Sequence, residues 1–445
     1  MRRMLAGMAA SCGLASLPLV AAAQTDLSPA ADGSAASGYA RAALSRREAP
    51  FTIDGRFPGG NVVVASISGD RVLLHQDLRD MGSGNWFYWN FRVKGAAGRA
   101  LTFSFTHPWG AGRKPLNPIG VRGPAVSLDG GRTWQWLGAE AANGTSFTYR
   151  FPRGQQEARF SSGMPYVSDQ FDAFMEKYRH NSHVEVNTLA LTREGRRVER
   201  VHLGNLNGNP KYRVVLAARH HASEMTASYV LEGIMQYLLE DPVNGRWFRE
   251  HGEALIIPFM DKDGVENGEQ GKGRRGRDHN KDYSGTSIYS ATAALRAYVP
   301  IWAAGKPLVG IDLHCPWIRG GSHERIHQVG HRDPAIWKQQ MQFGNKLQTA
   351  SAASRLVYSQ SSDLAFGTSW NKGSPQPDAT FKDWLAQVDG ARLATTLEIP
   401  FANASGGEVT QESARALGAD VARALVEYLK ELDGAGRAPN PHIRN

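Results

Sequence analysis

The sequence predicts an α/β fold preceded by an antiparallel β-sandwich. Three observations predict it. Short alternating hydrophobic runs broken by turn residues occupy the first third of the chain. Strands alternating with helix-length apolar periods take over after about Pro165. With 41% hydrophobic and 21% charged residues in a 445-residue chain, there is enough apolar material for a sizeable core, and the charges are too evenly spread for a disordered polymer or a multi-span membrane protein.

The N-terminus carries Arg2 and Arg3, an apolar stretch from Met4 to Val20, no acid, and then Ala21-Ala22-Ala23. This is the pattern of a cleavable export signal, so residues 1–23 are expected to leave and the mature protein to be periplasmic or secreted. A lipid anchor on Cys12 is the weaker alternative, because the usual leading Leu is missing; both readings lead outside the cytoplasm. Residues 24–45, rich in Ala, Ser and Gly, read as a flexible linker.

The β-sandwich is expected over 46–162, on the runs Asn61 to Ser68, Trp86 to Val93, Ala100 to Thr106, Ala125 to Leu128 and Ser146 to Phe151. The α/β domain is expected over 163–433, followed by a tail at 434–445. Its strands are read at Val214 to Ala218, Ala254 to Met260, Leu308 to Leu313 and Ala394 to Ile399. Its helices are read at Met225 to Leu239, Ile288 to Ala304, Asp333 to Ala353 and Gln411 to Asp433. The sandwich is expected to pack on this domain, and no membrane span is expected once the signal is removed.

Charge and cysteine content narrow the chemistry. A net charge of +9 over this length is no nucleic-acid footprint without clustering, and no nucleic-acid partner is expected. Two cysteines exclude a disulfide scaffold, a Cys-rich zinc ribbon and an iron–sulfur site, so a bound metal must be held by His and carboxylates.

Four fragments supply such groups. Arg219-His220-His221-Ala222-Ser223-Glu224 stands where a strand ends and a helix begins, and His221 and Glu224, three apart, can converge on one ion. Leu308-Val309-Gly310-Ile311-Asp312-Leu313-His314 is a buried strand with an imidazole at its C-terminal end, enough to complete a two-His, one-carboxylate set. Ala394-Thr395-Thr396-Leu397-Glu398-Ile399-Pro400 is a strand carrying a lone carboxylate among apolar neighbours, suited to accept a proton. Met260-Asp261-Lys262-Asp263-Gly264-Val265 is a turn leading into the basic stretch Arg274-Arg275-Gly276-Arg277-Asp278-His279-Asn280-Lys281.

These pieces and their order resemble the zinc metallocarboxypeptidases of the M14 family over roughly Tyr166 to Leu432, and the β domain ahead of them resembles the cytosolic carboxypeptidase, or deglutamylase-like, branch. The resemblance implies a mixed central sheet flanked by helices and one zinc ion per chain on His221, Glu224 and His314, with Glu398 as general base and acid. It implies that Asp278 hydrogen-bonds a ligand His, and that Asn280 and Lys281 hold the substrate's terminal carboxylate, with Lys where the family has Arg. It further implies an Arg that polarises the scissile carbonyl, for which Arg274 and Arg275 are both candidates and Arg275 is preferred. The family's tyrosine ahead of the late Glu has no clear counterpart, the nearest upstream being Tyr358.

Other motifs compete. His323-Glu324-Arg325-Ile326-His327 spells another zinc-protease motif, but Gly320-Gly321 before it and Gly330 and Pro334 after it argue for a loop instead of the required helix. Ser127 to Trp134 fits a single Asp-box hairpin. Trp86-Phe87-Tyr88-Trp89 offers a carbohydrate platform, although alternation puts at least two of the four in the core. His107, His220 and His279 have no assignable partner, and Cys315 reads as a buried thiol and not a nucleophile.

The expected function is hydrolysis of the C-terminal peptide bond of peptides or proteins by metal-activated water. The branch resemblance and the bases Lys272, Arg274, Arg275 and Arg277 favour an acidic C-terminal residue, with Lys382 and Asp383 as opposed candidates for selecting it. An amidase or deacylase on cell-wall peptides or acylated amino acids, and a catalytically degenerate peptide- or glycan-binding protein, are the alternatives.

Overall fold

The computed structural model describes residues 50–79, 86–106, 117–373 and 379–435, all within one compact unit, Ala49–Asn445. The expected signal and linker, His107 and the tail from 436 onward lie outside the described residues.

The N-terminal part consists of β1 (Thr52–Asp54), β2 (Val63–Ser68), β3 (Arg71–His75), β4 (Asn90–Lys94), β5 (Ala100–Phe105), β6 (Ala125–Ser127), β7 (Gln135–Trp136), β8 (Ala142–Asn143), β9 (Ser146–Arg150) and β10 (Glu157–Ser161). They form two five-stranded sheets, ordered β1-β4-β10-β6-β7 and β2-β3-β5-β9-β8. Alternation sets the inward face: in β5, Leu101, Phe103 and Phe105 are buried while Thr102 and Ser104 are not. Phe103 then stacks on Phe147 at 4.9 Å and contacts Phe91 at 5.3 Å and Phe160 at 5.5 Å, an aromatic core shared by both sheets. Among the described strand pairs of the sandwich the expected antiparallel pairing has one exception, β3 running parallel to β5.

The second part has a seven-stranded sheet of β11 (Val184–Leu191), β12 (Arg197–Gly204), β13 (Tyr212–Ala218), β14 (Gly252–Ile257), β15 (Leu308–His314), β16 (His327–Val329) and β17 (Ala391–Glu398), ordered β11-β12-β14-β13-β15-β17-β16. It is mixed: β13 is parallel to β14 and β15, and β15 to β17, while β11, β12 and β16 pair antiparallel. The helices are α1 (Ser168–Glu176), α2 (Thr226–Glu240), α3 (Asn244–His251), α4 (Lys262–Asn267), α5 (Ser290–Ala303), α6 (Pro334–Ser351), α7 (Phe381–Leu385) and α8 (Gln411–Ala435); a short hairpin, β18 (Asn403–Ala404) and β19 (Gly407–Glu408), precedes α8.

The parallel strands read as unbroken apolar runs because both faces are covered. Val214 and Leu216 of β13 join a core with Leu231 and Ile234 of α2, Phe343 of α6 and Val421 and Leu425 of α8. Val215 and Ala217 point the other way, into a core with Leu295 and Val299 of α5 and Phe381 and Leu385 of α7. Sequence periodicity missed the antiparallel strands β11, β12 and β16, whose half-exposed or very short runs give weak signals.

The two parts meet through buried groups. The Gln270 side-chain oxygen accepts from the backbone N–H of Phe87 at 2.6 Å and of Tyr88 at 3.2 Å, and the Phe87 ring stands edge-on to Trp317 at 4.9 Å. All four residues Trp86 to Trp89 are buried, which removes the carbohydrate platform. The Asp-box segment is a turn in which Asp129 accepts from the Thr133 hydroxyl at 2.7 Å, and the next residue, Trp134, donates its N–H to Gln411 at the start of α8.

Candidate active site and metal centre

Strands β13, β15 and β17 run parallel and end at one edge of the sheet, where they deliver His221 just beyond β13, His314 at the end of β15 and Glu398 at the end of β17. In the β15–β17 ladder His314 is the direct partner of Glu398. Arg219 turns the chain between β13 and α2. It adopts a left-handed backbone, φ 61°, and its buried guanidinium donates to the carbonyls of Ala222 and Tyr166 and to the Ser228 hydroxyl. The imidazoles that follow have separate partners: His220 bonds Asp312, and His221 bonds Glu224 and Asp278.

The ligand atoms of His221, Glu224 and His314 lie within 4.8 Å of one another, and all three residues are buried. His221 Nδ1 is 2.9 Å from Glu224 Oε1, and His314 Nδ1 is 2.8 Å from Glu224 Oε2. Each ring uses its other nitrogen on a carboxylate: His221 Nε2 on Asp278 at 3.0 Å and His314 Nε2 on Asp312 at 2.7 Å. If those nitrogens donate in the neutral rings, two Nδ1 lone pairs face the Glu224 carboxylate, an arrangement that a cation between them would satisfy. The close approach of His314 Nδ1 to Glu224 Oε2 is not aligned as a hydrogen bond, and among the described residues that buried oxygen has no hydrogen-bond donor. Four carboxylates, Glu224, Asp278, Asp312 and Glu398, gather here, and the ammonium of Lys272 pairs with Glu224, so the cluster has negative charge for a dication to neutralise. Two imidazoles and a carboxylate fit zinc.

Asp312 was not singled out from the sequence, although its position two residues before His314 on one strand face was a usable signal. It extends the network inward: Asp312 Oδ1 bonds His220 Nδ1 at 2.8 Å, and His220 Nε2 meets the Tyr283 hydroxyl at 2.7 Å. His220, unassigned from sequence, therefore belongs to the scaffold behind His314. His279 is buried and stacks on Tyr289 at 3.5 Å.

A cavity of about 590 Å³ opens in front of these groups, lined by His221, His314, Glu398, Lys272, Asp278 and Asn280, with Lys281, Lys382, Asp383 and His323 also on its wall. Glu398 is 7% exposed and its Oε2 has no hydrogen-bond partner. Asn280 is fixed by the Phe381 N–H, which its side-chain oxygen accepts at 3.0 Å. Burial works to raise the Asp278 carboxyl pKa, but the His221 ring and the Asn280 N–H outweigh it and hold the group well below the usual carboxylate range.

The cation beside the metal ligands is Lys272. Its ammonium lies 2.6 Å from Glu224 Oε1 and donates to the Cys315 carbonyl at 2.9 Å. Burial disfavours its charge, yet Glu224 and Glu398 more than compensate and keep its pKa above the ordinary lysine value. This corrects the expectation placed on Arg274 and Arg275, neither of which lines the cavity. Arg274 is drawn into ion pairs with Asp261 and Glu269, and Arg275 is exposed. The sequence could not decide between cations a few residues apart in a glycine-rich loop.

The competing motif resolves into three separate roles. His323 sits on a single 3₁₀ turn, Gly321–Glu324, and His327 on β16, paired with Glu398; no helix presents the two together. Tyr358 is buried and donates to Asp363, away from the cavity. Cys315 is a buried free thiol.

Residues 171–353 match the family model of the M14 peptidases, described as zinc carboxypeptidase. Over those residues the chain is similar to the M14 zinc carboxypeptidases. Human cytosolic carboxypeptidase 2 is 25% identical over 259 residues, covering 52% of this chain and 28% of that protein; human cytosolic carboxypeptidase 1 is 26% identical over 192 residues, covering 38% and 15%. The chain thus spans less than a third of the length of these relatives. Its fold is that of a metallo-carboxypeptidase from Burkholderia cenocepacia, with a TM-score of 0.69 at 20% identity over 86% of this chain and 100% of the other. A metallo-carboxypeptidase from Pseudomonas aeruginosa, solved with (2-guanidinoethylmercapto)succinic acid, gives 0.67 at 20% identity over 86% and 100%. The family match stops short of Glu398, which is brought beside His314 by strand register.

Proposed function

We propose that the protein is an exported zinc metallocarboxypeptidase that removes the C-terminal residue of peptides or proteins, holding one zinc ion per chain on His221, Glu224 and His314. The observation that carries this reading is the convergence of those three groups at a cavity that His221 and His314 line together with Glu398 and Lys272. Zinc held there supplies Lewis-acid polarisation of a water and of the scissile carbonyl.

The chain's own groups do the rest. Glu398 takes a proton from the attacking water and returns it to the leaving amine, a role supported by the unpartnered oxygen it keeps at the cavity wall. Lys272 stabilises the negative charge that develops on the carbonyl oxygen. Asn280 and Lys281 hold the terminal carboxylate, Lys281 as a point charge and not a planar fork.

An acidic C-terminal side chain is the preferred substrate. The Lys382 side chain is buried in the cavity wall, and its hydrogen bonds among the described residues are long, 3.4 Å to the Gly330 carbonyl and 3.5 Å to Asp383. Asp383 is meanwhile occupied by the Thr380 hydroxyl at 2.7 Å. Spare donors on a buried cation favour an anionic group.

The test is zinc content together with hydrolysis of a peptide panel differing only in the last residue. Wild type should bind one zinc and release Glu faster than Lys or Phe, and Glu398→Gln should keep the zinc and lose at least about a thousandfold in kcat. A zinc-loaded protein inert on every C-terminal peptide bond would defeat the peptidase reading, and faster release of Lys would defeat the acidic preference alone.

A further inference from the structure

Among the groups on the cavity wall, His323 is unused by this mechanism. Its ring makes no side-chain hydrogen bond among the described residues, and its Nδ1 is buried without a partner. A buried orphan N–H is rarer than a buried orphan acceptor, so the proton belongs on Nε2, which leaves a neutral ring with its donor free for the cavity. Burial, His327 and Lys272 all lower its pKa, in keeping with a neutral imidazole.

The turn that carries His323 is held rigidly. The Gly320 N–H donates to Glu324 Oε1 at 2.9 Å, the Asn403 amide to Glu324 Oε2 at 3.0 Å, and the Ser405 N–H to the Glu324 carbonyl at 2.7 Å. Arg319 just before it donates to the Ile119 carbonyl, and the Trp317 ring of the same loop packs on Phe87. Such a turn, fixed from the hairpin β18–β19 and from the β-sandwich, costs little further ordering when a ligand docks.

Position identifies the ligand. The strand that follows the His323 turn, β16, opens with His327, the ladder partner of Glu398, and Lys272 lines the same cavity, so His323 stands at the end of the cavity assigned to the water and the scissile carbonyl. The groups assigned to the last residue are Asn280, Lys281 and Lys382, and they gather at the other end of β16, where Lys382 meets the Gly330 carbonyl at 3.4 Å and Asn280 accepts from the N–H of Phe381, the neighbour of Lys382. A peptide whose last residue occupies that second set must lead its preceding residues out past the first.

We propose that His323 is a substrate-positioning residue that donates a hydrogen bond from Nε2 to a backbone carbonyl of the peptide on the N-terminal side of the scissile bond. It makes the enzyme select peptides over minimal capped substrates. The inference rests on the carboxypeptidase reading.

The experiment compares kcat/KM for acetyl-Ala-Glu and acetyl-Ala-Ala-Ala-Ala-Glu in wild type, His323→Ala and His323→Gln. Their ratio is independent of how much of each variant is folded. Wild type should favour the longer peptide; His323→Ala should cut that preference about three- to tenfold, through KM on the longer peptide, and His323→Gln, which keeps a side-chain N–H donor, should recover most of it. An equal length ratio in wild type and His323→Ala overturns this assignment while leaving the peptidase reading intact. No turnover of either peptide by wild type overturns both.

Discussion

Each imidazole of the metal centre is oriented by a carboxylate on its far nitrogen, and the two carboxylates arrive by different routes. Asp278 comes from a loop and Asp312 from the strand that carries His314. Losing either should loosen ring orientation more than it disturbs the fold. Asp278→Asn and Asp312→Asn are expected to weaken zinc binding about 10- to 100-fold, measured by competition with a chromophoric chelator. Lys272→Met tests the cation beside them: kcat should fall about 100- to 1,000-fold, whereas Arg275→Met, an exposed position, should stay close to wild type. The reverse pattern would restore the arginine as the polarising group.

At the scale of elements, the helices α2 and α8 cross on two glycines. A Cβ on Gly233 would stand 2.0 Å from the Arg415 carbonyl oxygen, and one on Gly418 would stand 2.1 Å from that of Val230. Helix propensity alone favours replacing either glycine by about 1 kcal/mol, but backbone overlap at such distances forces the helices apart. Gly418→Ala is therefore expected to lower stability by about 1–3 kcal/mol or more and to reduce Tm by several degrees in a thermal melt. An unchanged or higher Tm would mean that the helices can separate without loss. The same layer holds Val214 and Leu216 of β13, so the strand that leads to His221 depends on this crossing.

At the scale of the whole molecule, Gln270 is one of the side chains that tie the β-sandwich to the candidate site. Gln270 accepts from the Phe87 and Tyr88 N–H groups on the sandwich side, and its own carbonyl accepts from the Ser223 N–H, between His221 and Glu224. Lys272 follows two residues later. Gln270→Ala leaves two buried N–H groups without this acceptor, at about 1–3 kcal/mol each. It should lower both Tm and kcat; an effect on Tm alone would show that the sandwich is only a support. The proposed zinc would act at the same scale: with four carboxylates near the candidate centre, treatment with a chelator should lower Tm, and zinc added in excess of its Kd should restore it.

Much of the site was legible because strand ends announce themselves. His221, His314 and Glu398 each close an apolar run, and such runs in a parallel sheet end at one edge. Asp278 and Asn280 followed from the resemblance of their motif. What the sequence could not supply were distances across chain-remote loops. It offered three bases, Lys272, Arg274 and Arg275, and only folding drew Arg274 to Asp261 and Glu269 and set Lys272 against Glu224. It offered a zinc-protease motif at His323 and His327, and the backbone split it between a turn and a strand.

Local order, then, was determined by the sequence itself, since apolar period, turn residues and helix signals act over a few residues and define the strands, the helices and the residue types able to hold a metal. Partnership was decided by tertiary structure alone, because ion pairs, register and burial depend on which distant segments share a boundary. That is why His220, Asp312, Lys272 and His323 acquired their places only in the folded chain.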